Sequence, residues 1–289
     1  MLNTTSTPRL AALLTCHNRR DLTVACLERL ERQQDHDATI DVILVDAASE
    51  DGTAAAVRRL FPNATVLHGP SNLFWARGMH LAFRRAAARG QYDYYLWLND
   101  DTMLDPDALT HLLATHDQLR RAQGSPLVVA GATRDRTTGK QTYGGMQRSA
   151  GGSPVRFESV HSNPDHPTPV DTMNGNCVLV SNEIVQRIGI IDPRFFHTLA
   201  DFDYGLRAQA AGCEVWLAAG TVGTCTANRL PDTRWQRVRY VFGPRRIRAY
   251  EWYVFVRRWG GRRWPLLLPA PYVRHALIAL SSNRGQPGA

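Results

Sequence analysis

The sequence predicts an α/β fold: a mainly parallel sheet flanked by helices, with a C-terminal helical extension. Two patterns carry that expectation. Through the first half of the chain, short apolar runs alternate with ten- to fifteen-residue helical patterns, the arrangement that builds right-handed βαβ units on a parallel sheet. From Thr233 onward the texture changes, and twelve arginines interleaved with aromatic residues face a single acid, Glu251.

The elements follow in order. LAALLT (10–15) is a first strand, and DLTVACLERLERQ after it places Leu22, Ala25, Cys26 and Leu30 on one helical stripe. IDVILVD (40–46) is a second strand and EDGTAAAVRRLF a second helix. ATVLHG (64–69) is a third strand, followed by ARGMHLAFRRAAARG, a helix closed by Gly90. YDYYLWLN is the fourth strand; DPDALTHLLATHDQL is a helix with Asp105 as N-cap and Pro106 at its first position. LVVAGA (127–132) supplies another strand. Residues 133–172, rich in Gly, Thr, Ser, Pro and Arg, read as short strands and loops. NGNCVLVS (174–181) returns to strand, DFDYGLRAQAAG (201–212) to a helix ending on Gly212, and CEVWLAA to strand. From Trp235 two or three helical stretches are expected. Without internal repeats or a clear linker, the chain reads as one domain over 1–232 and an extension over 233–289.

The bulk numbers fit this frame. In 289 residues, 44% hydrophobic and 21% charged content is ordinary for a globular protein. The net charge of +8 is uneven: the tail alone carries +11, which leaves −3 for the first 232 residues. The basic tail predicts an anionic partner near it. Cys16, Cys26, Cys177, Cys213 and Cys225 are scattered with no C-x-x-C pair, which argues against a disulfide framework or zinc site and for a reducing cytoplasm. MLNTTSTPRL lacks the charged and apolar regions of a signal peptide. No apolar run approaches the ~20 residues of a membrane span; WPLLLPAPYV is short and broken by prolines.

In open parallel sheets, ligands bind beyond the carboxyl ends of the strands, and four polar clusters stand at such ends. The first strand exits into Thr15-Cys16-His17-Asn18-Arg19, the second into Asp46 through Thr53, the third into Gly69-Pro70-Ser71-Asn72, and the fourth into Asn99-Asp100-Asp101. Ser49 to Gly52 reads equally well as ordinary turn chemistry, whereas Asp46 closes an apolar strand before the turn begins. Adjacent carboxylates at the end of a buried strand need a cation. Either Asn99-Asp100-Asp101 caps the next helix, or it ligates Mg2+ or Mn2+ through oxygen, with phosphates and water completing the shell. Asp105 already serves as cap, so the metal reading is preferred.

These residues carry a resemblance. TCHNRRDLTVACLERL, VDAASEDGT, NLFWARGMHLAF, LWLNDDT and FFHTLADFDYGLRAQAAG stand in the order seen in bacterial glycosyltransferase family 2, and the chain resembles that family over roughly residues 10–225. Each motif is weak alone; five in order are specific. The resemblance implies a GT-A fold, a nucleotide-diphosphate-sugar donor (UDP- or dTDP-linked), a glycan or lipid-linked acceptor, Mg2+ or Mn2+, and inversion at the anomeric carbon. Residues 10–132 would then bind the nucleotide sugar and 133–232 form the acceptor-facing, catalytic part. It places Cys16, Asn18, Arg19 and Asp46 on the donor nucleotide, together with Ala48, Asn72, Arg77, Gly78, Asn99 and Asp100. Asn99 and Asp101 take the outer positions of the family's D-x-D signature, with Asp101 the direct metal ligand and Asn99 a departure that lowers the negative charge. Asp201 matches the family's catalytic acid and would be the general base, with Ala200 replacing an acid often found before it. Trp75, Asn174, Gly175, Asn176 and His197 would face donor sugar or acceptor, and Gly78 would allow close backbone approach in a loop under the donor sugar. A histidine that sometimes ligates metal after the last strand is missing; GTCTAN (223–228) stands there instead.

Blander readings stand beside these. Asp201 could be a helix N-cap, with Asp203 pairing to Arg207 at i,i+4. Arg77 could be solvated rather than phosphate-bound, Trp75 could simply pack, and His17, His68, His80 and His197 read as surface or loop histidines. Three readings compete for TRWQRVRYVFGPRRIRAYEWYVFVRRWGGRRWPLLLPAPYVRHAL: a nucleic-acid surface, a helix on an anionic membrane, or core packing that buries Tyr250, Tyr253 and Phe255. Beside an enzymatic front half, peripheral membrane docking outranks nucleic acid, so a cytoplasmic protein at the inner face of the plasma membrane is expected. The function so read is elongation of a bacterial surface polysaccharide or lipid-linked glycan, with rhamnosyl transfer as a subclass. The alternatives are a sugar-phosphate nucleotidyltransferase, which would show a Gly-rich phosphate loop where TCHNRRD stands, and a basic nucleic-acid-binding module.

Overall fold

Leu10, Ala12 and Leu14 of the first apolar run face one side, Ala11 and Leu13 the other, and all five are fully buried. A strand buried on both faces needs a helical layer on each side. Both layers are present in the computed structural model, which describes residues 7–227 and 249–273.

The elements are β1 (Arg9–Cys16), α1 (Arg20–Glu31), β2 (Thr39–Asp46), α2 (Thr53–Leu60), β3 (Thr65–His68), α3 (Phe74–Ala87) and β4 (Tyr94–Leu98). After β5 (Met103–Leu104), α4 (Ala108–Gln123) and β6 (Leu127–Ala130) come short strands: β7 (Thr133–Arg134), β8 (Gln141–Tyr143), β9 (Gly145–Arg148), β10 (Phe157–Ser159), β11 (Thr168–Pro169) and β12 (Thr172–Met173). The chain continues through β13 (Cys177–Ser181), α5 (Asn182–Ile188), α6 (Ala200–Ala210), β14 (Glu214–Leu217), β15 (Gly223–Thr224), α7 (Ala249–Trp259) and the short α8 (Trp264–Leu267). The main sheet has eight strands in the order β11-β14-β6-β13-β4-β1-β2-β3. Helices α1, α2 and α4 cover one face; α3, α5, α6 and α7 cover the other.

Four of the seven strand junctions are parallel and three antiparallel, so the sheet is mixed. β13 runs against both β4 and β6, because the chain reaches it from the small sheets to which 133–173 contributes at the carboxyl rim. The region forms β10-β9-β12, adds β7 and β8 to β5 and β15 in a second small sheet, and lends β11 to the main sheet, which bears out its reading as short strands and loops.

Three local expectations are corrected. Asp105 does not cap α4: the helix starts at Ala108 with Asp107 before it, and Asp105 pairs instead with Arg134 of β7 at 2.6 and 2.9 Å. α3 begins at Phe74, so Trp75, Arg77 and Gly78 lie in its first turns rather than on a loop. In α7, Phe255 is buried as expected, but Tyr250 and Tyr253 are exposed and Trp252 takes the inner place. The residues from Trp235 to Arg248 and beyond Val273, on which further helical stretches were expected, lie outside the described residues.

Candidate active site

The loops after β1 and β2 hold one another. Ser49 N–H and Cys16 Sγ both approach Asp46 Oδ1, at 3.1 and 3.8 Å. Asn18 donates its N–H to Ser49 Oγ at 2.9 Å and accepts from Glu50 N–H at 2.8 Å. Asp51 takes the amides of Arg20 and Thr53, so the turn chemistry read into Ser49–Gly52 is there and stitches two strand exits together. Among the described residues, five non-glycine residues have positive φ, and four of them, Asn18, Ala48, Phe74 and Leu199, lie on segments bordering this crevice. Such conformations persist only where surrounding contacts enforce them.

The cation demanded by Asp100 and Asp101 is supplied within the chain. Arg19 Nη1 donates to Asp100 Oδ1 at 3.2 Å and to Asp101 Oδ2 at 2.7 Å. Burial pushes the Asp100 carboxyl up to about 6; Arg19 opposes that rise and Asp101 adds to it. Asp100 Oδ2 is buried with no hydrogen-bond partner. Asp101 is more open and takes the Cys225 thiol on Oδ1 at 3.5 Å; burial first, then Asp101, pushes that thiol up to about 12, so it stays protonated as a donor. The chemistry of the donor set fits a hard divalent cation: two carboxylates that already converge on one cationic nitrogen, one carrying an orphaned oxygen. No group of three or more His, Cys, Asp or Glu side chains placed to hold a metal exists among the described residues, so phosphates and water would complete the shell.

A continuous run of contacts leads from this pair to Asp201. Asn176 Nδ2 donates to Cys225 Sγ at 3.5 Å, and its carbonyl accepts the Asn99 amide at 2.9 Å. Asn99 Oδ1 accepts Trp75 Nε1–H at 2.7 Å. The Trp75 ring lies against Gly175 so closely that a Cβ there would sit 2.4 Å from it, and Gly175 N–H donates to Asp201 Oδ2 at 3.0 Å. Asp201 Oδ1 accepts the Phe202 amide at 2.9 Å. Burial pushes the Asp201 carboxyl up to about 6 against these two amide bonds. Such a carboxyl is ionised at neutral pH yet basic enough to accept a proton.

The structure thus brings Arg19, Trp75, Asn99, Asp100, Asp101, Gly175, Asn176 and Asp201 together. Cys16, Asn18, Asp46 and Ala48 form the adjoining loop wall. Asn72 is exposed between β3 and α3, and Asn174 pairs with the Gly144 backbone. The close approach at Gly78 is made to Thr15 of β1, 2.2 Å from where a Cβ would sit. Arg77 stacks its guanidinium on Phe196, 3.3 Å from the ring centre. His197 belongs to the loop before Asp201, packing on Phe74 and giving its amide to Glu251. His17 is a loop histidine as expected, whereas His80 lies within α3; each bonds a backbone carbonyl, of Ala47 and Ile191. Asp203 pairs with Arg207 as the i,i+4 spacing expected.

Sequence reasoning missed Cys225 and Glu251. Cys225 stands in GTCTAN, where only a histidine was sought. Gly223 lets β15 lie on the Met103 carbonyl, 2.4 Å from where a Cβ would be, and this carries the thiol to Asp101. Glu251 was visible as the one acid of the tail, three, four and seven residues before Val254, Phe255 and Arg258 on one helical face. All five thiols are free and buried.

The profile of Glycosyl transferase family 2 matches residues 12–173, and that of Glycosyl transferase family group 2 matches 95–282. No curated protein matches the chain. Among solved structures, it is similar to the mannosyltransferase PcManGT from Pyrobaculum calidifontis in complex with GDP-Man and Mn2+. That match has 17% identity and a TM-score of 0.52, over 98% of this chain and 77% of the other. It is also similar to S. aureus TarS 1–349, at 12% identity and a TM-score of 0.52 over 75% of this chain and 60% of TarS. The UDP complex of TarS gives 12% and 0.51 over 74% and 59%.

Proposed function

The chain belongs to glycosyl transferase family 2, and from that premise we propose that it is an inverting, metal-dependent transferase whose general base is Asp201. One observation carries the reading: a single carboxylate, with its pKa near 6, hangs from the Gly175 amide at the end of a contact run that begins at Asp100 and Asp101. In this reading Asp201 accepts the proton of an acceptor hydroxyl as that oxygen attacks C1 of the sugar from the face opposite the phosphate. Arg19, already between the two carboxylates, turns its remaining donors to the diphosphate, and the wall of Cys16, Asn18, Asp46 and Ala48 holds the nucleoside. Asp101 and Asp100 would hold Mg2+ or Mn2+, which when bound offsets the charge that builds on the departing nucleoside diphosphate. The Mn2+ of the mannosyltransferase supports this reading.

The donor is a UDP-, dTDP- or GDP-linked sugar, dTDP-rhamnose among them, and the acceptor a glycan or lipid-linked glycan of bacterial surface polysaccharide. Contact with an anionic membrane on the cytoplasmic side is part of the same reading. Tyr253, Leu266, Tyr272 and Val273 are exposed, and so are Arg257, Arg262 and Arg263, a composition suited to lipid headgroups. No described helix is long and apolar enough to cross a membrane.

The test is a panel of nucleotide sugars with Mg2+ or Mn2+, read as nucleoside diphosphate release. Release from one donor, lost in Asp101→Ala, is the expected result. Dependence on inorganic pyrophosphate would replace the reading with a nucleotidyltransferase, and salt-sensitive oligonucleotide binding without donor turnover would replace it with a nucleic-acid module.

A further inference from the structure

Asp201 sits in a segment that α7 grips on both sides. Before it, three successive backbone amides converge on one buried carboxylate oxygen: Phe196, His197 and Thr198 donate to Glu251 Oε1 at 2.5, 2.7 and 3.4 Å. Glu251 is fully buried. Consecutive amides wrapped around an anion form a backbone nest, and here the anion is a side chain fixed to another element. The nest leads directly into Leu199, whose φ of 65° is unfavourable for a branched side chain, and α6 starts at Ala200.

After Asp201, the fully buried Asp203 takes Arg258 Nη1 at 2.5 Å and Trp259 Nε1 at 3.0 Å, both from α7, besides Arg207 of its own helix. Arg258 also reaches Asp192 at 2.8 Å, where the segment begins. Trp252, Val254, Phe255 and Val256 seat α7 in the same apolar cluster as α3 and α6. Two buried carboxylates, one given by the helix and one received by it, therefore fix the approach to Asp201 and its departure.

We propose that α7 is a positioning element for the Asp201 carboxylate and that Glu251 is its positioning residue, holding the 196–198 amides so that Leu199 turns the chain onto Gly175. The consequence for turnover rests on Asp201 being the base; the consequence for geometry does not. Glu251 touches no reacting atom, and its effect passes through the backbone.

The experiment compares full-length wild type with Glu251→Gln, which keeps the volume but removes the charge that three amides share. Glu251→Ala is a harsher second variant. Amide hydrogen exchange reads the geometry. Peptides covering 196–198 are expected to exchange faster in Glu251→Gln, and so is Gly175, whose amide is protected by Asp201 itself. With a donor from the UDP-, dTDP- or GDP-sugar panel, kcat is expected to fall by ~10²-fold, the scale of a small misplacement of a reacting group, while KM for the donor stays within about twofold. Faster exchange at 196–198 with Gly175 unchanged would overturn the proposal, as would an unchanged kcat alongside altered exchange. If wild type turns over no donor, the transferase reading fails, and the Gly175 amide still decides the positioning claim.

Discussion

Asp201 accepts two backbone amides and still presents a basic carboxylate, and the residue that makes this geometry possible has no side chain. Gly175 lies between the Trp75 ring and Asp201; a Cβ there would fall 2.4 Å from the ring and 3.4 Å from the Asp201 Cβ. Gly175→Ala must therefore push a ring held by Asn99 or the carboxylate itself. Donor turnover is expected to drop by ~10²-fold with the melting temperature lowered by only a few degrees, as kinetics and thermal unfolding of the same sample would show. At this scale the sequence was informative where a residue type is chemically odd in its place. Asn99, Asp100 and Asp101 at the end of a buried strand announced a missing cation, and the structure supplies Arg19. Cys225 was illegible because nothing in GTCTAN says that β15 lies on the backbone just past Asp101; its pairing with β5 on one side and β7 on the other places the thiol there.

Among the elements, strands with every residue buried were read correctly from their apolar runs, and helix ends were read less well. Asp105 looked like a cap because Asp-Pro is a common way to begin a helix, but Arg134, 29 residues later, offers a two-pronged partner that no cap position matches. α3 starts earlier than its pattern because the Phe196 carbonyl accepts the amides of Ala76 and Arg77, a contact that spans the fold. Gly78 is where α3 meets β1, and Gly78→Ala would drive a Cβ to 2.2 Å from Thr15 Oγ1. The helix must then lift off the sheet, at a cost of ~1–3 kcal/mol typical of overpacking. Denaturant unfolding is expected to show that loss with an unchanged slope; equal stability would mean that Thr15 rotates freely out of the way.

For the whole molecule, the front half was legible because βαβ order follows the chain, and each strand exit announces itself in polar residues. The contribution of the tail was not, since the link between Glu251 and Phe196 crosses 55 positions and rests on the burial of one acid among many arginines. Among the described residues from α7 to Val273, arginines, tyrosines, Leu266 and Val273 are exposed, and the proposed membrane contact is made there. Full-length protein is expected to pellet with anionic vesicles at low salt and to be released as salt rises; protein that stays in the supernatant would remove the membrane from the account. In the proposed sugar transfer the base is Asp201. That role is tested most directly by the pH dependence of kcat for nucleoside diphosphate release in wild type and Asp201→Asn, with one donor. A base must be unprotonated to work, so wild-type kcat should fall about tenfold per pH unit below about 6. Asp201→Asn should lose ~10²–10⁴-fold and show no such limb. A variant within a few fold of wild type, keeping the same acid limb, would contradict the assignment.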